Sequence, residues 1–151
     1  MKVKMTVKHA LPIEQMKILM NAKIKVGITQ KSNIVIPGAD ADLAFIGAVN
    51  HNGSVTNNIP ATPFIKKPVE DNVNNVYAEV FAKNADNLNA SNICNQVGTS
   101  LVNKIRDDIN TQGRGTYVPN KPATIKAKGG IDKRLIHTGR LLLSIDSEVI
   151  L

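Results

Sequence analysis

From Val69 to Ile109 the apolar residues of this chain return every three or four positions. Val69, Val73, Val76, Tyr77, Val80 and Phe81 form one series, and Ile93, Val97, Leu101, Ile105 and Ile109 form the next. That spacing lays an apolar stripe along an α-helix, and a stripe must be buried against another element. The Asn-rich stretch Asn84 to Asn92 either separates two long amphipathic helices or kinks a single one. Elsewhere the period changes to two. Ile24, Val26 and Ile28 alternate with Lys23, Lys25 and Gly27, and Ile145 and Val149 alternate with Asp146 and Glu148, as on strands with one wet face. The expected fold class is therefore α+β: a small mixed or antiparallel sheet packed with two long amphipathic helices and carrying extended loop arms.

Shorter signals fill the gaps. Leu11, Ile13, Met16, Ile18, Leu19 and Met20 suit a first helix after Pro12, with a stripe that is only partly regular. Asp40 or Asp42 can cap a helix running through Ala44, Phe45, Ala48 and Val49 and stopping at Asn52 and Gly53. Pro60 and Pro63 force Ile59 to Phe64 to be extended, with Phe64 as its core anchor. The stretch YVPNKPATIKAKGG has loop chemistry: Pro119 and Pro122 remove backbone donors, and Gly129 and Gly130 loosen the chain. Residues 111–131 are expected to form an extended arm within a single domain spanning 1–151. After it, Leu135 and Ile136 suit a short strand. Thr138 can cap a turn that begins at Gly139, where the missing side chain allows close packing.

At 151 residues the chain can bury a real core, and 42% hydrophobic content is ordinary for a globular protein. With three Phe, two Tyr and no Trp, that core is aliphatic. The same scarcity argues against an aromatic base-stacking platform for single strands or RNA. Cys94 is the only cysteine and has no internal disulfide partner. No apolar run reaches the roughly 20 residues needed to span a bilayer. MKVKMTVKH lacks an apolar signal core, so synthesis in the cytosol is expected. The net charge of +7 is unevenly spread: Met1–Lys31 and Thr111–Arg140 each carry +6, Ser32–Asn110 carries −3 and Leu141–Leu151 carries −2. Such segments can pair between identical subunits, face DNA phosphates, or simply keep the protein solvated.

Catalytic chemistry is sparse. His9, His51 and His137 lie far apart without metal-ligand spacing, so neither a metal nor a cofactor is expected. Cys94 suits a small buried side chain, with no marked base beside it. Asp107 and Asp108 meet the negative end of a helix, which invites a Lys or Arg partner from another subunit, or leaves them solvated. Gly113, Arg114 and Gly115 lack the strand-loop-helix setting of a phosphate loop and suit a hinge. Thr138 has only His137 beside it as a base, and adjacent residues rarely align for that role. No catalytic residue is assigned.

Two blocks carry a resemblance. LIHTGRLLLSIDSEV, preceded by PATIKAKG, is similar to a "LIDTGxLxxSIxxxV" pattern. IPATPFIKKPVEDN, which follows AVNHNG, resembles "IPARPFLRPAxExN". Both patterns, in this order and spacing, belong to the tail-completion and neck proteins (virion morphogenesis, head-tail joining) of long-tailed bacteriophages. The likeness spans Ile24 to Val149. Thr62 stands where the family usually has Arg, His51 and Asn52 replace Glu-Phe, and His137 replaces Asp. The resemblance implies a non-enzymatic virion protein, made in the bacterial host cytoplasm, that closes as a ring, most often sixfold, around the DNA channel. Its partners would be itself, other neck, connector and tail-tube proteins, and the passing genome, with no membrane.

On that reading Arg114, Tyr117, Lys121, Ile125, Lys126, Lys128, Phe64, Lys66 and Lys67 are candidates for a subunit interface or the DNA channel. Pro60, Pro63, Phe64, Leu135, Thr138, Gly139, Leu141, Ile145 and Val149 form the structural motif. The alternative is a basic DNA-binding protein using the N-terminal and 111–140 segments. An enzyme whose site the motifs do not reveal ranks third.

Overall fold

The computed structural model describes residues 12–151. The expected first-helix residue Leu11, His9 and the start of the N-terminal basic segment lie outside them. In chain order the elements are α1 (Ile13–Asn21), β1 (Lys23–Ile28), α2 (Leu43–Asn52), α3 (Lys66–Lys83), α4 (Ala90–Asn110), α5 (Pro122–Ala127), α6 (Arg140–Leu143) and β2 (Ile145–Ile150). The fold is α+β, with a two-stranded antiparallel sheet.

The centre of the domain is α4, which packs on α3, on both strands and on α1. Ile93, Val97, Leu101, Ile105 and Ile109 are buried along it, as the three-four spacing predicts, and Cys94 lies beside them. Burial raises the Cys94 thiol pKa, which keeps it protonated and inert. Asn89 caps α4 by accepting the Asn92 amide at 2.9 Å, and Gln15 of α1 accepts the Ala90 amide at 2.7 Å. Two of the four N–H groups orphaned at a helix start are thereby satisfied. Asn84 to Asn89 separates α3 from α4, so the chain makes a helical hairpin rather than one kinked helix.

The sheet lies across α4. Its register pairs Ile24 with Val149, Val26 with Ser147 and Ile28 with Ile145. Between these pairs Lys25 meets Glu148 at 3.8 Å on the solvent face. A Cβ at Gly98 would lie 2.7 Å from the Ser147 hydroxyl. Glycine in mid-helix costs about 1 kcal/mol relative to alanine, and here it lets the sheet approach the helix closely. Asp42 caps α2, accepting the Phe45 amide at 2.8 Å, and α2 ends at Gly53 (φ 77°) as its sequence predicts.

The core has two parts. Val76, Val80, Ile93, Val97 and Leu101 fill the α3–α4 end. Leu43, Phe64, Val102, Ile105, Ile109, Leu141 and Ile145 join α2, α4, α6 and β2 at the other.

Several local expectations fail for identifiable reasons. Residues 111–131 are not extended throughout. They contain a 3-10 turn at Gly113–Gly115 and the six-residue helix α5, which Pro122 starts with its preset φ. Leu135 and Ile136 form no strand, because Leu135 sits at φ 63°, in the left-handed region. Thr138 caps nothing. Gly139 is the residue before α6, at φ 76° with no side-chain cap, and a Cβ there would meet nothing within 4 Å. Glycine is thus favoured at 139 for its backbone angle and not for close packing.

Candidate functional site

The C-terminal end of α4 builds the site. The last carbonyls of a helix lack partners within it, and here the Thr111 hydroxyl donates to Asp107 O at 2.8 Å and the Gln112 side chain to Ile109 O at 2.7 Å. The same amide group donates to Arg134 O at 3.0 Å and accepts the Arg134 backbone N–H. This clip fixes the start of the C-terminal block against the helix end. It also aims the Arg134 side chain inward.

Arg134 is 8% exposed. Its Nε donates to Thr62 Oγ1 at 2.7 Å and its Nη2 to Pro60 O at 2.8 Å, while Nη1 lies 3.5 Å from Val118 O. The planar guanidinium therefore joins the IPATPF segment, the chain at Val118 beyond the 3-10 turn and the C-terminal block. Among the described residues no carboxylate pairs with it. Burial lowers its pKa from the usual arginine value, as desolvation of a cation must. Thr62, itself 2% exposed, stands where the resemblance leads one to expect arginine, and a guanidinium from another segment lies against it.

Around Arg134 opens a cleft of about 730 Å³. Its apolar surface comes from Ile36, Leu43, Ile46, Leu135, Ile136 and Leu141, and Lys121, Lys128 and Arg140 line it together with Arg134. None of its lining residues is Asp or Glu. Lys128 is half-buried and donates to Lys133 O at 2.6 Å. Burial, and then the charge of Arg134, lower its pKa. Asp132 acts on it favourably from outside the cleft, where its carboxylate accepts from Asn120 at 3.4 Å.

Of the residues singled out from the sequence, the cleft gathers Pro60, Lys121, Lys128, Leu135, Thr138, Gly139 and Leu141. The others lie elsewhere. Arg114 and Lys126 are exposed, and Ile125 is half-buried on α5. Lys66 and Lys67 lie in the exposed first turn of α3, reaching Glu70 at 3.9 Å and Asp71 at 2.7 Å. The Asp71 hydrogen bond raises the Lys67 pKa. Phe64 is fully buried and packs edge-on to His51 at 5.5 Å, so it cannot face a neighbour or a channel. Pro63 is exposed, and Ile145 and Val149 belong to the sheet. Burial, with a contribution from the Lys66 charge, holds His51 below the ordinary histidine pKa. Among the described residues no three His, Cys, Asp or Glu side chains converge as metal ligands would.

Tyr117 anchors the 111–131 segment on its own subunit. Its hydroxyl donates to Asp108 Oδ2 at 2.5 Å, and its ring lies so near Gly113 that a Cβ there would fall 2.5 Å from it. Asp108 therefore has a partner within the chain, where the sequence suggested a neighbouring subunit's cation or solvent. Burial and the Asp108 hydrogen bond raise the Tyr117 pKa strongly. The folded chain thus holds this proton more tightly than the unfolded chain. The associated stability is complete below about pH 10 and is lost as the pH rises above it. Tyr117→Phe is expected to cost about 1–2 kcal/mol at neutral pH and to flatten the decline above pH 10. Thermal melts of both proteins from pH 7 to 11 check this, and an unchanged alkaline slope would contradict it.

Arg134, Gln112, Arg140, Ile36, Leu43 and Ile46 are site residues that sequence reasoning missed. Arginine is rarely buried, so nothing local marked Arg134 beyond its place beside Leu135. No helix among the described residues is long and apolar enough to cross a membrane. No family model matches the chain, and comparisons with curated proteins and with solved structures return no match.

Proposed function

We propose that this chain is a non-enzymatic structural subunit of the neck or head-proximal tail of a long-tailed bacteriophage, or of a particle derived from one. It is made in the host cytoplasm and closes as a ring, most often sixfold, around the DNA channel. The observation that carries the reading is the Arg134 clasp. The two sequence blocks that resemble tail-completion and neck proteins are separate in the chain, yet Arg134 just before one bonds Thr62 and Pro60 of the other, 72 and 74 residues away. Their adjacency is what a shared structural motif built from both blocks would give. The exposed cations Arg114, Lys121 and Lys126 then supply charge for neighbouring subunits or for the DNA within the ring.

Those same exposed cations favour the second reading, a protein that binds free DNA. Electron microscopy of concentrated protein, beside duplex-binding titrations at several salt concentrations, separates the two. The ring reading expects closed annular particles and weak duplex binding. Binding that falls steeply with salt, in the absence of annular particles, would favour the DNA-binding reading, because phosphate neutralisation releases counterions.

A further inference from the structure

Of the cleft beside Arg134 the ring reading uses only the exposed charge of Lys121. Four cations line an apolar depression, none of the lining residues is acidic, and one of the cations is a buried guanidinium held only by neutral oxygens. Removing a cation from water without a counter-charge is costly, so the site is electrostatically incomplete. The residues outside the described ones do not supply the missing charge, since 1–11 contain Lys2, Lys4 and Lys8 and no carboxylate. A volume of about 730 Å³ is in the range of clefts that enclose a ligand.

We infer that this cleft is the docking site for an acidic segment of a different protein, one carrying carboxylates on either side of an aliphatic or aromatic anchor. The anchor would occupy the apolar surface formed by Ile36, Leu43, Leu135 and Ile136. Its flanking carboxylates would meet Lys121, Lys128 and Arg140 around it, with Arg134 beneath. Lys128 and Arg134 already have pKa values lowered by burial, so an incoming carboxylate relieves both. A nucleic acid fits less well. Phosphates need no apolar surface, and no Phe, Tyr or Trp lines the cleft to stack a base. This inference is independent of whether the chain closes as a ring.

The test uses the full chain and a fluorescein-labelled peptide made of two copies of Glu-Glu-Leu-Glu-Gly, followed by fluorescence anisotropy. Lys121 and Arg140 are exposed, and among the described residues their side chains make no hydrogen bonds, so reversing both charges should leave the melting curve intact. The Lys121→Glu/Arg140→Glu variant is expected to bind the peptide at least about tenfold more weakly. Lys17→Glu/Lys104→Glu, which removes the same charge away from the cleft, should bind as the parent does. Methyl NMR signals of Leu135 and Ile136 should shift on peptide addition and stay unmoved with a glutamine version of the peptide.

Any of three results would overturn the inference. One is absence of peptide binding to the parent chain. Another is an equal loss in both double variants. The last is displacement of the peptide by a duplex of about 20 base pairs, or peptide binding that weakens as the chain self-associates at higher concentration, which would assign the cleft to phosphate or to self-association.

Discussion

Replacing Ile145 by aspartate is expected to leave little folded protein at 25 °C. Ile145 is fully buried, pairs with Ile28 across the sheet, and belongs to the cluster of Leu43, Phe64, Val102 and Ile105. Removing a buried aliphatic side chain costs about 2–5 kcal/mol, and an unpaired carboxylate in its place costs several more. Arg106 does not rescue it. Its Nη2 donates to the Ile145 carbonyl at 2.8 Å, on the backbone side, whereas the new carboxylate would point into the core. Total stability for a domain of this kind is about 5–15 kcal/mol, so the substitution removes most or all of it. Circular dichroism melts give the answer. A variant that melts with the parent would mean that β2 does not cover α4.

Arg134→Ala is expected to be the next most damaging change, by about 2–4 kcal/mol, because charge-assisted hydrogen bonds to Thr62 and Pro60 are lost and their oxygens stay partly buried. For a chain of this size that lowers the melting temperature by roughly 5–15 °C. Arg134→Lys should recover little of the loss, since one ammonium cannot span the Thr62 hydroxyl and the Pro60 carbonyl as the planar fork does. A double-mutant cycle with Thr62→Val isolates the bond itself. A coupling energy near zero would show that the two motif blocks are held together by packing alone.

What could be read from the sequence was the local periodicity. The stripe from Ile93 to Ile109 marked α4, the alternation at Ile24 to Ile28 and Ile145 to Val149 marked the two strands, and Asp40 or Asp42 marked the start of α2, where the structure selects Asp42. Each of those signals depends on residues within one element. The 111–131 segment could not be read in that way. Its order depends on Tyr117 reaching back to Asp108 and on a glycine at 113 that makes room for the ring. Leu135 in a left-handed conformation, and Gly139 acting where Thr138 was expected to cap, are likewise set by how the block meets Gln112 and the end of α4. The cleft was the least legible feature. It gathers residues from Ile36 to Leu141, and its centre is a buried arginine, an environment that composition does not betray. The motif positions Pro60, Leu135, Thr138, Gly139 and Leu141 do converge there, although nothing in their spacing indicated an acid-free apolar depression between them.

Assembly is the central claim, and multi-angle light scattering across a wide concentration range tests it most directly. The ring reading expects the mass to rise from the 16.3 kDa of one chain toward a closed multiple well above two, about six on the sixfold reading, without continuing into open polymers. A mass fixed at one chain, or at a twofold dimer, over the whole range and with neck or tail-tube partners present would contradict it.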